Sequence, residues 1–324
     1  MKKSADNGTQ MSCGAGNTHK EEKTDMIISA SRRTDIPACY SPWFFERIRE
    51  GFVLTRNPMR YHQVSKVSLS PDTVDGIVFW TKNPTPMLDR LDELNEYAYY
   101  FLYTLTSYGK DMEPNVPAKG SEAIPAFHRL ADKTGPERVI WRYDPILLSE
   151  KYTVDYHLEY FHQIARRLHG YTRKCIISFV DRYKSTDSYF GQDGLTDISD
   201  DTKRMLARSI CEIARRYDLT VETCAEEIDL SSHGIGHAKC IDGELLGRLR
   251  GRPIKVSRDK NQRPACGCDA SVDIGMYNTC KNGCRYCYAN YNPGALKTNT
   301  GSHDMHSPLL IGRIGDGDII RERT

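Results

Sequence analysis

A chain of 324 residues with 39% hydrophobic and 10% aromatic content carries enough apolar side chain for a buried core, as one large domain or two small ones. A formal charge of +2 excludes a general electrostatic pull toward nucleic acid or acidic membranes and leaves only local basic faces for such partners. Eleven cysteines is an odd and high count, and the polar first two dozen residues hold no apolar stretch suited to a signal or anchor. The expectation is a cytoplasmic chain without a membrane partner, whose thiols act as metal ligands or nucleophiles rather than in disulfides.

Residues 1–24 read as a disordered tail. From there to about Asn290, apolar runs of strand character alternate with segments of helical period. Strands are expected at 26–30, 76–80, 99–105, 138–143, 175–180, 219–223 and 271–277, most of them continuous apolar runs of the kind covered on both faces. Between them, Ser41 and Pro42 supply an N-cap and first-turn proline, and Met87, Leu88, Leu91 and Leu94 recur at helical spacing. Thr153 opens and Gly170 closes a helix with Leu158, Phe161, Ile164 and Leu168 on one stripe, and 205–217 and 242–249 repeat the pattern. Seven alternating strands predict an α/β fold of the (β/α) TIM-type barrel kind, complete or partial, with a doubly wound open sheet as the rival. The barrel spans 25–290, and 291–324 form a C-terminal extension packed on it.

Nearly every expected strand stops in polar or charged residues: Arg32, Arg33 and Asp35, then Thr81 and Lys82, Thr104 and Thr106, Arg142 and Asp144, Asp181 and Arg182, Glu222 and Glu226. Parallel strands share one direction, so these groups converge on the C-terminal mouth where such folds keep their chemistry. Polar residues also simply begin loops, which is the plainer reading of any one of them.

The last strand leads into TCKNGCRYCYAN, where Cys280, Cys284 and Cys287 stand at spacings of three and two residues. Thiolate is the ligand that iron–sulfur centres require, and three ligands leave a four-iron cluster with one open position. A Cys3His zinc site using His303 or His306 is the alternative.

The triad, with aromatic Tyr286 just before its last cysteine, resembles the CxxxCxΦC signature of the radical S-adenosylmethionine superfamily. The resemblance implies a [4Fe–4S] cluster, S-adenosyl-L-methionine on its open iron, and an electron donor such as flavodoxin or ferredoxin. It also implies a radical acting on an unidentified small-molecule or nucleotide substrate. Members of that superfamily carry the triad after their first strand, whereas here it comes near the C-terminus, so the barrel reads as circularly permuted: 271–277 first, then 26–30, 76–80, 99–105 and 138–143. The segments WTKNP and RYDPI are similar to strand ends of the spore photoproduct lyase branch. The whole run from ISASRRTDIPA to CGC and CRYCYAN resembles an uncharacterised bacterial family with a radical-SAM-like cysteine cluster at its C-terminus.

On this reading Lys82 or Arg142 holds a carboxylate of cofactor or substrate, while Arg142 with Asp144 could instead be a buried ion pair. Arg32, Arg33 and Asp35 neighbour the cysteine loop in the permuted order. A second group, Cys224, Cys240, Cys266 and Cys268, is suited to a second iron–sulfur cluster or a zinc, against the plainer reading as buried thiols. Cys13, Cys39, Cys175 and Cys211 read as tail, loop or core residues, and His233 and His237 as loop residues and spare ligands. The run between Leu246 and Cys266 holds seven basic residues against one aspartate and reads as a solvated linker, with phosphate or nucleic-acid binding as its alternative. The competing function is a non-catalytic zinc or iron–sulfur protein that binds nucleic acid or a protein partner.

Overall fold

The computed structural model describes residues 25–181 and 194–323, so Cys13 and Arg182 lie outside the described residues. In chain order the strands are β1 (Met26–Ala30), β2 (Phe52–Arg56), β3 (Gln63–Ser68), β4 (Val74–Thr81), β5 (Tyr99–Thr104) and β6 (Val139–Ile146). They continue with β7 (Lys174–Phe179), β8 (Thr220–Thr223), β9 (Gly236–His237), β10 (Val272–Asp273) and β11 (Ile319–Arg323). The helices are α1 (Ile36–Cys39), α2 (Ser41–Glu50), α3 (Thr85–Leu88), α4 (Ile124–Thr134), α5 (Val154–Leu168), α6 (Asp200–Arg215), α7 (Gly243–Arg250) and α8 (Pro293–Gly301).

Eight strands form one sheet in the order β10-β1-β4-β5-β6-β7-β8-β9, and every neighbouring pair is parallel. The first five positions follow the order expected from the permuted reading. The sheet differs from a closed barrel: β9 and β10 are its edges, and among the described residues no strand pair joins them. The edges are instead tied through loops, where the Asp269 amide donates to the Ile241 carbonyl at 3.0 Å.

Both faces of the sheet are covered, which explains the unbroken apolar runs. Ile77, Phe79, Phe101, Trp141 and Ile177 face a helical layer in which Phe44, Phe127, Phe161 and Ile210 are buried. The alternate residues Val78, Trp80, Tyr100, Leu102, Ile140 and Ile176 face the other way, onto Ala238, Cys240, Ile241, Leu245 and Leu246. Gly76 permits that plug, because a Cβ there would lie 2.6 Å from Leu246 Cδ1.

Several expected elements are shorter or differently capped. Ser41 is the first residue of α2 rather than its cap, and its hydroxyl donates to the Pro37 carbonyl at 2.6 Å. The 87–94 run divides into α3 and a 3-10 turn at Leu91–Leu94, separated by Arg90 at φ −118°. The 271–277 strand shrinks to β10 because the Asp273 carboxylate draws the chain into a turn, accepting from the Arg32 and Gly275 amides, each at 2.9 Å.

A second sheet, β11-β3-β2, has no counterpart in the sequence reading. The C-terminal segment is bonded to the helix and strand that follow β1: Trp43 Nε1 donates to the Ser307 carbonyl and the Leu54 amide to the Pro308 carbonyl, each at 2.9 Å. Among the described residues no helix is long and apolar enough to cross a membrane.

Candidate functional site

The loop after β10 carries the cysteine triad, and its backbone is held on several sides. Thr279 gives its carbonyl to the Tyr40 hydroxyl at 2.6 Å, and the Cys280 carbonyl accepts from Asn290 Nδ2 at 2.7 Å. The Asn278 amide donates to the Ala289 carbonyl at 2.8 Å, which closes the loop on itself. The Arg285 amide reaches the Met112 carbonyl at 3.0 Å, fastening the loop to the segment that follows β5. Gly283 takes φ +68° between Asn282 and Cys284, a left-handed turn that a side chain would strain.

Cys280, Cys284 and Cys287 are half-buried and lie within electrostatic reach of one another. The Cys280 thiol is pushed up by its bond to Cys39 and by burial, Cys284 by burial, and Cys287 to about 11 by burial and Cys280. Cys39, which reads from sequence as an ordinary loop or core thiol, is therefore a neighbour of the triad. His303 is engaged elsewhere, with Nδ1 2.8 Å from the Leu310 carbonyl, and His306 Nδ1 is 3.7 Å from Glu46. Among the described residues no three His, Cys, Asp or Glu side chains surround a single-ion position.

Lys82, at the end of β4, donates through Nζ to Glu113 Oε1 at 2.6 Å and to the Tyr286 hydroxyl at 2.9 Å. Tyr286 in turn donates to Glu113, and Lys119 bonds the other carboxylate oxygen. Thr106 adds a 2.8 Å bond, so the buried Glu113 carboxylate is held by four groups. Burial pushes Glu113 up, but Lys82 and Lys119 outweigh it and hold the carboxyl at about 2. Burial lowers Lys119, while for Lys82 the attraction of Glu113 outweighs burial and raises it. Both ammonium groups lie within electrostatic reach of Cys284, so this corner of the triad is positive. Sequence reading found Lys82 and Tyr286 but missed Glu113, in an irregular loop, and Lys119, at the start of a short π-helical turn, Lys119–Ala123; neither carries a motif.

Asp35 caps α1 through the Ala38 amide at 2.9 Å, and its other oxygen accepts from the Lys82 amide and Asn282 Nδ2, each at 2.8 Å. It joins the ends of β1 and β4 to the cysteine loop, which makes it a positioning residue. Burial pushes its carboxyl up despite these donors. Arg33 Nη1 reaches the Gly275 carbonyl at 3.5 Å and its guanidinium lies 5.1 Å from the Tyr277 ring. Arg32 donates through Nη2 to Ser271 Oγ at 3.1 Å and lies 3.6 Å from Asp259.

The second cysteine group is also assembled. Cys224 Sγ is 3.3 Å from Cys240 Sγ, the Ile241 amide donates to Cys268 Sγ at 3.4 Å, and Cys266 lies within electrostatic reach of Cys268 and Cys224. Arg142 pairs with Asp144 and lies within electrostatic reach of Cys240 and Cys224. Arg142 and Asp144 thus stand beside the second thiol group, joined as the ion pair that was the alternative reading. Two cavities, of about 400 and 560 Å³, open here; Ala225, Lys239, Ala265 and Gly267, sequence neighbours of these cysteines, contribute to their walls.

The basic run is used internally. Arg250 binds the Val74 carbonyl at 2.6 Å, and Arg252 pairs with Asp75. Arg258 binds the Cys266 carbonyl at 3.0 Å, and Arg263 pairs with Asp181. His237 Nδ1 is 3.3 Å from Thr223 Oγ1, and the His233 carbonyl accepts from Cys211 and Arg215.

Fold and site together define an α/β protein on an open parallel sheet, with one thiol group in the loop after β10 and a second drawn from the segments that follow β8 and β9 and precede β10. Residues 27–289 match the family described as a domain of unknown function (DUF1848), and the chain belongs to that family. No curated protein matches it.

Proposed function

We propose that this protein is a radical S-adenosylmethionine enzyme built on a circularly permuted partial (β/α) barrel, with Cys280, Cys284 and Cys287 as the ligands of a [4Fe–4S] cluster. The observation that carries the reading is the strand order: the triad loop follows the edge strand β10, whose neighbour is β1, so the thiols stand after the first strand of the permuted series.

The donor set fits the group. Three half-buried thiols share one loop within electrostatic reach of one another, and thiolate is the ligand an iron–sulfur cluster requires. When bound, such a cluster supplies the electron that cleaves S-adenosylmethionine to methionine and a 5′-deoxyadenosyl radical.

The chain's own residues have separable tasks. Asp35 and Asn282 fix the loop against β1 and β4. Lys82 and Lys119, with Glu113 between them, place a net positive charge beside Cys284 that favours thiolate and attracts an anionic carboxylate. Tyr286, packed 5.6 Å from Tyr108, covers one side of the loop and holds Lys82 in position. A flavodoxin or ferredoxin is the class of donor the chemistry requires, and the substrate is a small molecule or nucleotide.

The test is iron and acid-labile sulfide in anaerobically purified protein, beside a variant with all three triad cysteines replaced by alanine. The variant is expected to lack about four irons per chain. Unchanged iron in a folded triple variant overturns the reading.

A further inference from the structure

We infer that Cys224, Cys240, Cys266 and Cys268 form a second metal site, a tetrahedral four-thiolate zinc site that ties the two edges of the sheet together. The site is separate from the triad and does not rest on the radical-enzyme reading.

The four thiols come from three places far apart in sequence. Cys224 follows β8 directly, Cys240 lies just beyond β9, and Cys266 and Cys268 precede β10. Because β9 and β10 are opposite edges of the sheet, a group that gathers these thiols spans the gap that strand pairing leaves open. Backbone bonds already bring the segments together: the Ile241 amide reaches Cys268 Sγ at 3.4 Å, and the Asp269 amide the Ile241 carbonyl at 3.0 Å. The Tyr100 hydroxyl, rising from β5, donates to the Cys240 carbonyl at 2.6 Å.

Ordinary core cysteines in this chain look different. Cys175 and Cys211 are packed in the apolar core, and the hydrogen bond of each thiol goes to a carbonyl oxygen, of Ile176 and His233. The four thiols instead gather: Cys224 and Cys240 are in sulfur contact at 3.3 Å, the Ile241 amide beside Cys240 meets Cys268 Sγ at 3.4 Å, and Cys266 lies within electrostatic reach of Cys268 and Cys224. The charges around them point the same way. The Arg142 guanidinium lies within electrostatic reach of Cys240 and Cys224, and the Arg32 guanidinium of Cys268 and Cys240. Each of the two arginines buries an Nε–H that has no protein partner. Four thiolates around a divalent ion carry a net charge of −2, and these two cations with free N–H donors suit that charge.

Sulfur spacing favours zinc. Tetrahedral zinc with Zn–S bonds of about 2.3 Å sets its sulfurs about 3.8 Å apart, near the 3.3 Å between Cys224 and Cys240. An iron–sulfur cube holds its four ligand sulfurs farther apart than thiols in contact. As they stand, no three of these side chains surround one ion position, so binding draws the thiols inward around the ion.

The experiment uses the full chain carrying alanine at 280, 284 and 287, so that the triad contributes no metal. It is expected to hold about one zinc per chain and no acid-labile sulfide. Its zinc replaced by cobalt should give the intense thiolate-to-metal charge-transfer and d–d absorption of a tetrahedral four-sulfur site. A further Cys266→Ser change should lower zinc affinity by at least about tenfold in a chelator competition and alter the cobalt bands. Three results overturn the inference: iron with acid-labile sulfide in the triad-free chain, a disulfide between Cys224 and Cys240 under reducing conditions, or a folded triad-free chain that binds neither zinc nor cobalt. Zinc affinity unchanged by Cys266→Ser does so as well.

Discussion

Replacing Asp35 with alanine removes the acceptor of three hydrogen bonds: two to donors in buried contacts, Lys82 N and Asn282 Nδ2, and one to the partly buried Ala38 N at the start of α1. Each orphaned buried donor costs about 1–3 kcal/mol, and a lost N-cap about 1 kcal/mol. The gross loss is therefore about 3–7 kcal/mol. Part is offset, because burial opposes the Asp35 charge and its removal relieves that penalty. A net loss of about 2–4 kcal/mol is expected at neutral pH. Asp35→Asn keeps an oxygen for Lys82 and Asn282, turns its amide toward Ala38 and should lose only about 1 kcal/mol.

The sign with pH follows from the raised carboxyl. A group whose folded pKa exceeds its unfolded value contributes most below the unfolded value, and that contribution is lost as pH rises through the folded one. Asp35→Ala should therefore cost more near pH 4 than near pH 8. Urea denaturation of the three proteins at both pH values measures this. A change under about 1 kcal/mol for alanine, or a larger loss at high pH, refutes the positioning role.

Three further outcomes can be checked. Glu113→Gln leaves the Lys82 and Lys119 ammonium groups without their buried counter-charge and should cost about 3–5 kcal/mol, part of it restored by adding Lys119→Met; a loss below about 1 kcal/mol in a urea melt would contradict the network. His157 is buried, with Tyr143 Oη 2.8 Å from Nδ1 and the Leu147 carbonyl 2.7 Å from Nε2, and burial pushes its pKa down to about 4. It therefore contributes about 3 kcal/mol of stability that is complete above its usual 6.5 and is lost as pH falls toward 4, so His157→Gln should flatten the urea midpoint between pH 7 and 4.5. A Gly76→Ala change drives a methyl into Leu246 and should destabilise by about 1–3 kcal/mol, whereas Gly76→Ala with Leu246→Ala should recover part of that loss.

The sheet was legible because its strands are buried on both faces and so read as apolar runs, and Gly76, Ile77, Val78, Phe79 and Trp80 show this in five consecutive residues. Closure was not legible, since it depends on whether β9 and β10 meet, and two-residue strands leave no periodic trace. Sheet β11-β3-β2 escaped for a related reason: β11 is exposed along its length and carries Arg321, Glu322 and Arg323. At the candidate site, the spacing of Cys280, Cys284 and Cys287 singles them out in the sequence. Long-range partners did not show: Glu113 reaches Lys82 across 31 residues, and Asn282 reaches Asp35 across 247. The assembly of Cys224 with Cys268 likewise depends on how the two sheet edges approach, which no local pattern encodes.

The proposed role of the triad is reductive cleavage of S-adenosylmethionine. The direct measurement is anaerobic incubation of the iron-reconstituted protein with S-adenosylmethionine and dithionite, followed by chromatographic quantitation of 5′-deoxyadenosine. 5′-Deoxyadenosine is expected from the native chain and none above background from the triple alanine variant. A native chain that carries a full complement of cluster iron and sulfide yet yields no more 5′-deoxyadenosine than the variant contradicts it.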